Sequence, residues 1–350
     1  MPAFLSSKKI LSISVLVLFM YTNTRAQSTQ KFLFSLPENK IANSLYNKIN
    51  VLDIRMDTTS MGIIQTGVFN KKTKVIAKEP LSIQFNNILN ALTDSTAKPQ
   101  ELLIQLRQLS FAEITGSFSE KGYFYLRAAI YAKQPDGYRQ IGAIDTVSLI
   151  ASGVDVTSAL LKHGSETIAG FIAANLNKTP VATALNNYND IAKIDSVEKR
   201  NLKLYNTSRF TDGLYLTYKS FCNQVPDAPI IVTNNFIDYT MKTPGENGKL
   251  KKVKSDKVYA VVYQGQAYIA TKYDYYPLKK TNDDFFFTGK ASATPNAVNM
   301  VTAGVFFGML GTLIASNAEA TFEMKIDHIN GEFIRIKEII DPNAGKYDYN

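Results

Sequence analysis

A chain of 350 residues with 45% hydrophobic and 20% charged side chains is long enough for two ordinary domains and has the balance of a folded globular protein, so disorder is not its default state. The formal charge of +9 falls by three, to +6, when Lys8, Lys9 and Arg25 leave with the leader described below. That excess favours anionic surfaces, but an exported chain has little access to nucleic acid, which sets DNA and RNA aside as partners.

Residues 1–26 read as an export signal: Lys8 and Lys9 form the positive start, Ile10 to Tyr21 the apolar core, and Thr24-Arg25-Ala26 the small-x-small cleavage site. The core is about 12 residues, too short to cross roughly 30 Å of hydrocarbon as a helix, so cleavage is favoured over anchoring. The mature chain is expected to begin near Gln27. Lipoprotein attachment would need a cysteine there, so the protein is expected to be periplasmic or extracellular and not lipidated. The single cysteine, Cys222, excludes an intramolecular disulfide and reads as a small buried apolar residue.

Residues 27–176 read as an α+β domain. Alternation from Ile49 to Arg55 predicts a strand, and the apolar run Met61 to Phe69 a second, broken by Lys71-Lys72. Pro80 opens a helix in which Leu81, Phe85, Ile88 and Leu92 share one stripe. Leu102 to Phe111, Tyr123 to Ala132 and Tyr138 to Ile150 predict an antiparallel meander with turns at Glu120-Lys121-Gly122 and Pro135-Asp136-Gly137. Asp155 or Ser158 is expected to cap a second helix with Leu161, Ile168, Ile172 and Leu176 as its stripe, and both helices should lie on one face of the sheet.

Residues 177–209 are rich in Asn, Asp, Lys and Arg and read as a partly helical, exposed connector. Residues 210–340 predict a mostly β domain of short strands. Gln264-Gly265 marks one tight hairpin; Asn330-Gly331, between Phe322 to Ile329 and Glu332 to Lys337, marks another. Residues 341–350 read as a loosely held tail. The run Phe210-Thr211-Asp212-Gly213-Leu214-Tyr215-Leu216-Thr217, with Phe221 and the later Lys249 to Lys254 stretch, resembles a pattern in exported proteins of Bacteroidetes-type bacteria. The resemblance covers about a third of the chain, implies a Gram-negative envelope, and carries no activity or functional residue.

Met300 to Ala315 is the longest uncharged apolar run after the leader. On a helix, Gly304, Gly308, Gly311 and Ala315 form a smooth seam. Two readings stay open: a helix buried in the second domain, or a partner or membrane contact through Gly304, Phe307, Gly308 and Gly311. About 16 residues span roughly 24 Å, short of a bilayer core, which favours burial.

Recognisable chemistry is sparse. Two histidines, His163 on the second helix and His328 in a predicted strand, have no neighbouring Cys or His to build a zinc site, and each reads as structural. No Gly-x-Ser-x-Gly elbow, phosphate loop, dinucleotide fingerprint or calcium loop occurs, so no catalytic, cofactor or metal residue is assigned. Among the carboxylates Glu113, Glu120, Asp145, Asp283 and Asp284, no pair stands out for glycan hydrolysis. Glu113 and Asp145 read equally well as partners of Arg107 and Arg127 on an exposed sheet face. Lys249, Lys251, Lys252 and Lys254 read as an edge strand protected by charge, with an anion-binding patch as the alternative. The tyrosines Tyr259, Tyr263, Tyr268, Tyr273, Tyr275 and Tyr276 read as half-buried strand residues before they read as a sugar platform.

Together these readings describe an exported α+β protein acting without catalysis as a binding, scaffolding or accessory component, with an envelope protein or glycan as partner. The alternatives are a hydrolase with paired carboxylates between the domains, and a subunit docked to the membrane through Met300 to Ala315.

Overall fold

The computed structural model describes residues 28–67, 71–115, 120–152, 156–181, 184–235, 238–245, 247–292 and 319–339. The leader, the apolar segment Met300 to Ala315 and the tail lie outside them. The structure is mixed, 21% helix and 46% strand, built around one large curled sheet, an α+β architecture.

That sheet has eight strands: β1 (Thr29–Phe32), β2 (Tyr46–Asp53), β3 (Gly62–Thr66), β4 (Lys71–Ala77), β5 (Gln100–Thr115), β6 (Glu120–Gln134), β7 (Gly137–Ser152) and β8 (Leu185–Asn186). The order is β1-β4-β3-β5-β6-β7-β8, with β2 also paired to β5. β5, β6 and β7 form the expected antiparallel meander. The rest is not purely antiparallel: β1 pairs parallel with β4, and both β2 and β3 pair parallel with β5. Parallel pairing needs a long crossover, which the β3–β4 hairpin and helix α1 (Leu81–Leu92) supply between β2 and β5. The stretch at Lys71-Lys72 begins strand β4 and does not break the sheet.

One face of the sheet carries Leu102, Ile104, Leu106, Phe111, Phe124, Leu126, Ala128 and Ile130. They pack with Phe85, Ile88 and Leu92 of α1 and Leu160, Ile168 and Ile172 of α2 (Thr157–Ala173) in a single core. No side chain of α2 caps its start; the Glu120 carboxylate accepts from the Val156 N–H at 3.1 Å, and the Glu113 carboxylate accepts from Thr157 Oγ1 at 2.7 Å. Two carboxylates from β5 and β6 thus sit at the positive end of the helix dipole.

The opposite face is covered as well, contrary to expectation. The connector forms α3 (Tyr188–Ala192), α4 (Ile194–Arg200) and α5 (Lys203–Asn206), and it is exposed only in part: Ile191 packs with Leu103, Ala129 and Tyr131 of the sheet, while Lys199 and Leu204 are buried. A sheet covered on both faces explains why β6 is almost continuously buried from Gly122 to Ala132.

Beyond α5 the chain forms β9 (Gly213–Tyr215), α6 (Tyr218–Cys222), β10 (Ile231–Asn235), β11 (Asp238–Pro244), β12 (Leu250–Lys252), β13 (Ala260–Tyr263), β14 (Gln266–Ala270), β15 (Tyr275–Pro277), β16 (Lys279–Thr281), β17 (Asp284–Ser292), β18 (Glu319–Ile326) and β19 (Phe333–Glu338). They make sheets ordered β10-β11-β12, β15-β14-β13-β9 and β16-β17-β18-β19. The two four-stranded sheets share one core with α6, containing Tyr215, Phe221, Val262, Ile269, Phe285, Phe287, Phe322 and Met324.

Gln264-Gly265 is the tight turn expected, with φ of +52° and +77°, and the Asp212 carboxylate accepts from both of its N–H groups at 3.0 and 2.7 Å. Asn330-Gly331 is not a two-residue hairpin. β18 and β19 pair last at Ile326 and Phe333, leaving a six-residue loop closed by the Gly331 N–H donating to the Asp327 carbonyl at 2.8 Å. Gly331 takes a φ of +79°, and a Cβ there would lie 2.1 Å from Tyr218, so only glycine fits under that ring.

Candidate functional site

The loop between β18 and β19 carries Asp327, His328 and Glu332 against the covered second face of the large sheet. A cavity of about 270 Å³ opens there, lined by Ile54, Met56, Ile334, Gln108, Tyr125 and the charged or ionisable groups Arg107, Arg127, Asp195, Lys325, Asp327, His328 and Glu332.

Local backbone irregularity positions its first arginine. The register of β5 on β6 slips between Leu106 and Gln108, leaving Arg107 without a cross-strand partner. A bulge at that point turns Arg107 and Gln108 together away from the helical core, and both reach the cavity. Arg107 then forms a fork with Glu198 of α4, Nη1 to Oε1 at 3.0 Å and Nη2 to Oε2 at 2.7 Å, while Nη2 also lies 2.6 Å from Asp195 Oδ1. His328 Nε2 donates to Glu198 Oε2 at 2.7 Å. Burial pushes the Glu198 carboxyl upward, but the bonds and charges of His328 and Arg107 outweigh it and hold the group at about 2.

The second arginine lies on β6. Arg127 donates from Nε to Asp145 Oδ2 of β7 at 3.0 Å, and its Nη1 is 2.8 Å from Asp327 Oδ2. Burial works against its charge, yet Asp327 and Asp145 keep its pKa above the usual guanidinium range. Nearby, Asp284 takes Lys199 at 2.7 Å and Lys325 at 3.5 Å. Glu332 differs from the other carboxylates: its side chain has no hydrogen bond or ion pair among the described residues. Burial and the neighbouring Asp327 charge push its carboxyl up to about 7, with Arg127 opposing.

Asp195, Glu198 and His328 place three potential ligand atoms within 4.8 Å of one another. The Arg107 guanidinium already occupies both carboxylates from between them, so a cation in that position would meet a fixed positive charge. The donor set therefore fits an arginine clamp and not a metal centre.

The residues singled out in the sequence fall largely elsewhere. Asp145 does pair with Arg127, but Glu113 serves the start of α2, and Arg107 finds its partners on α4. The face carrying both arginines is covered, not exposed. His163 sits 3.5 Å from Thr167 and edge-on to Phe124, away from the cavity. His328 lies in a loop, not a strand, and is buried. Cys222 is buried, which raises its thiol pKa. Lys249, Lys251, Lys252 and Lys254 are all exposed on and around the terminal strand β12, and Lys252 stands directly opposite Lys242 of β11. Of the tyrosines, Tyr259 and Tyr275 donate inward, to the Gly331 and Val253 carbonyls at 2.7 and 3.1 Å. Gly304, Phe307, Gly308 and Gly311 lie outside the described residues, and no described helix is long and apolar enough to cross a membrane. The cavity residues Asp195, Glu198 and Glu332 were not singled out; the one local signal was the polar pair Arg107-Gln108, which breaks strand alternation between Leu106 and Leu109.

No family model matches the chain, and no curated protein matches it. Among solved structures, a Xanthomonas campestris protein of the DUF330 family aligns at 10% identity over 41% of this chain and 91% of its own, with a TM-score of 0.28. A second, described as an uncharacterized protein, aligns at 10% identity over 42% of this chain and 98% of its own, with a TM-score of 0.23. Likenesses of that size assign neither a family nor a function.

Proposed function

We propose that the protein is exported to the envelope of a Bacteroidetes-type bacterium and works there as a non-catalytic binding or accessory component. The leader composition of residues 1–26 and the resemblance around Phe210 to Thr217 support the compartment. The observation that carries the non-catalytic role is the condition of the cavity's charges. Arg107, Arg127, Asp327 and His328 are each tied to a partner within 3.0 Å, and Asp327 Oδ1 also accepts from the Ile329 N–H at 3.0 Å. Groups held in this way shape and polarise a binding site, whereas a hydrolase needs a carboxylate free to attack or to take a proton from water.

One observation favours the hydrolase reading. Glu332, at about 7, is suited to act as a general acid beside Asp327, which is paired with Arg127. The two readings separate in one experiment: the protein is recovered by cell fractionation, its N-terminus sequenced, and the purified mature chain incubated with peptidoglycan and polysaccharides. An N-terminus near Gln27 in the envelope fraction without hydrolysis is expected. Turnover that disappears in Glu332→Gln would replace the binding role with catalysis, and an uncleaved cytoplasmic chain would remove the envelope assignment.

A further inference from the structure

The cluster around the cavity has a charge imbalance. It is local to Glu332, where one cation, Arg127, lies among the three carboxylates Asp145, Asp327 and Glu332. Asp145 and Asp327 share Arg127 at 3.0 and 2.8 Å, and Glu332 has no ion pair among the described residues. An anionic ligand would meet this excess of negative charge. A hard metal ion would find the Glu332 oxygens and Asp195 Oδ2 uncommitted, too few for the six to eight that calcium takes. The cavity wall also has an apolar side, Ile54, Met56 and Ile334, and its volume of about 270 Å³ sits at the small end of ligand sites.

We propose that this cavity binds a small primary alkylammonium, its charge set against Glu332 and its aliphatic stem laid along Ile54, Met56 and Ile334. The inference rests on the binding role proposed above and names the ligand class. An ammonium head replaces solvent around a carboxylate that already faces Asp327 on its own loop and Asp145 on β7. The alkyl stem shields the pair from water, which strengthens it.

The other groups facing Glu332 set the pH response. Asp327 and Asp145 favour its protonated form and Arg127 its ionised form; Tyr125, Arg107, Asp195, Lys325 and His328 complete the charged or ionisable lining. Binding an ammonium requires the carboxylate, so association near neutral pH displaces a proton from Glu332 to buffer. With the free carboxyl near 7, the ionised fraction drops by about tenfold from pH 8 to pH 6, and affinity should drop with it.

The test is titration calorimetry on the mature chain with n-butylamine hydrochloride, with n-butanol and calcium chloride as parallel titrants. Expected are binding of the amine alone, affinity about tenfold weaker at pH 6 than at pH 8, loss of binding in Glu332→Gln, and retention in the surface control Glu166→Gln. Equal binding of the alcohol, uptake of calcium in place of the amine, a flat pH profile, or unchanged binding in Glu332→Gln would each overturn the proposal. Should Glu332→Gln fold poorly, heats measured on the unsubstituted protein in buffers of different ionisation enthalpy decide the matter. A proton released near pH 7 supports the site, and none released refutes it. Failure of amine binding leaves the non-catalytic role standing, while hydrolysis of glycans would remove that role and leave amine binding to be judged on these titrations.

Discussion

Arg127 of β6 and Asp327 of the β18–β19 loop face each other at 2.8 Å with 12% and 6% of their side chains exposed, joining the large sheet to the second half of the chain. Together with the fork from Arg107 to Glu198 and the bond from His328 to the same carboxylate, the pair makes a polar seam through α4. Attraction in so dry a place is strong, and so is the penalty for removing one member.

Replacing Arg127 with methionine should therefore destabilise the protein by about 3–5 kcal/mol, because Asp327 stays buried with its charge uncompensated. The double substitution Arg127→Met with Asp327→Leu should recover most of the loss. Asp145, the other partner of Arg127, is 42% exposed, and Asp145→Asn should cost only about 0–1 kcal/mol. Urea unfolding of the three variants checks the order.

Acid stability should show two opposing windows. Glu198 is held at about 2 in the fold against an ordinary 4.5, so its contribution is complete above about 4.5 and is lost as the pH falls toward 2. Glu332 is raised to about 7, so the fold binds its proton more tightly than the unfolded chain does, and its favourable term, present below 4.5, disappears as the pH rises to 7. Unfolding free energy measured from pH 3 to pH 8 should rise with pH in the lower window and lose a contribution in the upper one. Glu332→Gln should remove only the upper slope.

Two glycines of α2 should respond with opposite signs. A Cβ on Gly164 would lie 2.5 Å from the Phe111 ring, so Gly164→Ala should cost about 1–3 kcal/mol through overpacking, less the helix gain of about 1 kcal/mol. Gly170 has open space around its Cβ direction, and Gly170→Ala should stabilise by up to about 1 kcal/mol. Thermal melting of the pair measures both.

Tyr205 and Tyr215 offer a similar contrast. The buried Tyr205 hydroxyl has no hydrogen-bond partner among the described residues, while the Tyr215 hydroxyl donates to the Thr211 carbonyl at 2.6 Å. Tyr205→Phe should be neutral or slightly stabilising, and Tyr215→Phe should cost about 0.5–1.5 kcal/mol. A denaturation series in which Tyr205→Phe proved the more damaging would contradict the assignment.

Periodicity alone located α1, the three long strands β5 to β7 and the last two strands, β18 and β19, because each buries a face whose spacing is written locally. It misjudged the connector. Its Asn, Asp, Lys and Arg content looked too polar for a buried segment, yet α3 to α5 cover the sheet's second face and draw in Lys199 and Leu204 by proximity to partners elsewhere in the chain. Asn330-Gly331 carried a hairpin signal, but Asp327 donates its N–H to the Glu332 carbonyl at 2.7 Å and Gly331 tucks under Tyr218, contacts that hold a wider loop.

The amino-acid order by itself determined the α+β composition, the helical faces and the absence of disulfide support, since those depend on neighbours within a few positions or on a count of one cysteine. Tertiary structure alone decided that Arg107, Glu198, Asp327, His328 and Glu332 share one cavity region. They arrive from β5, α4 and a distant loop, and Coulombic attraction and burial act through space on groups that sequence spacing does not bring together.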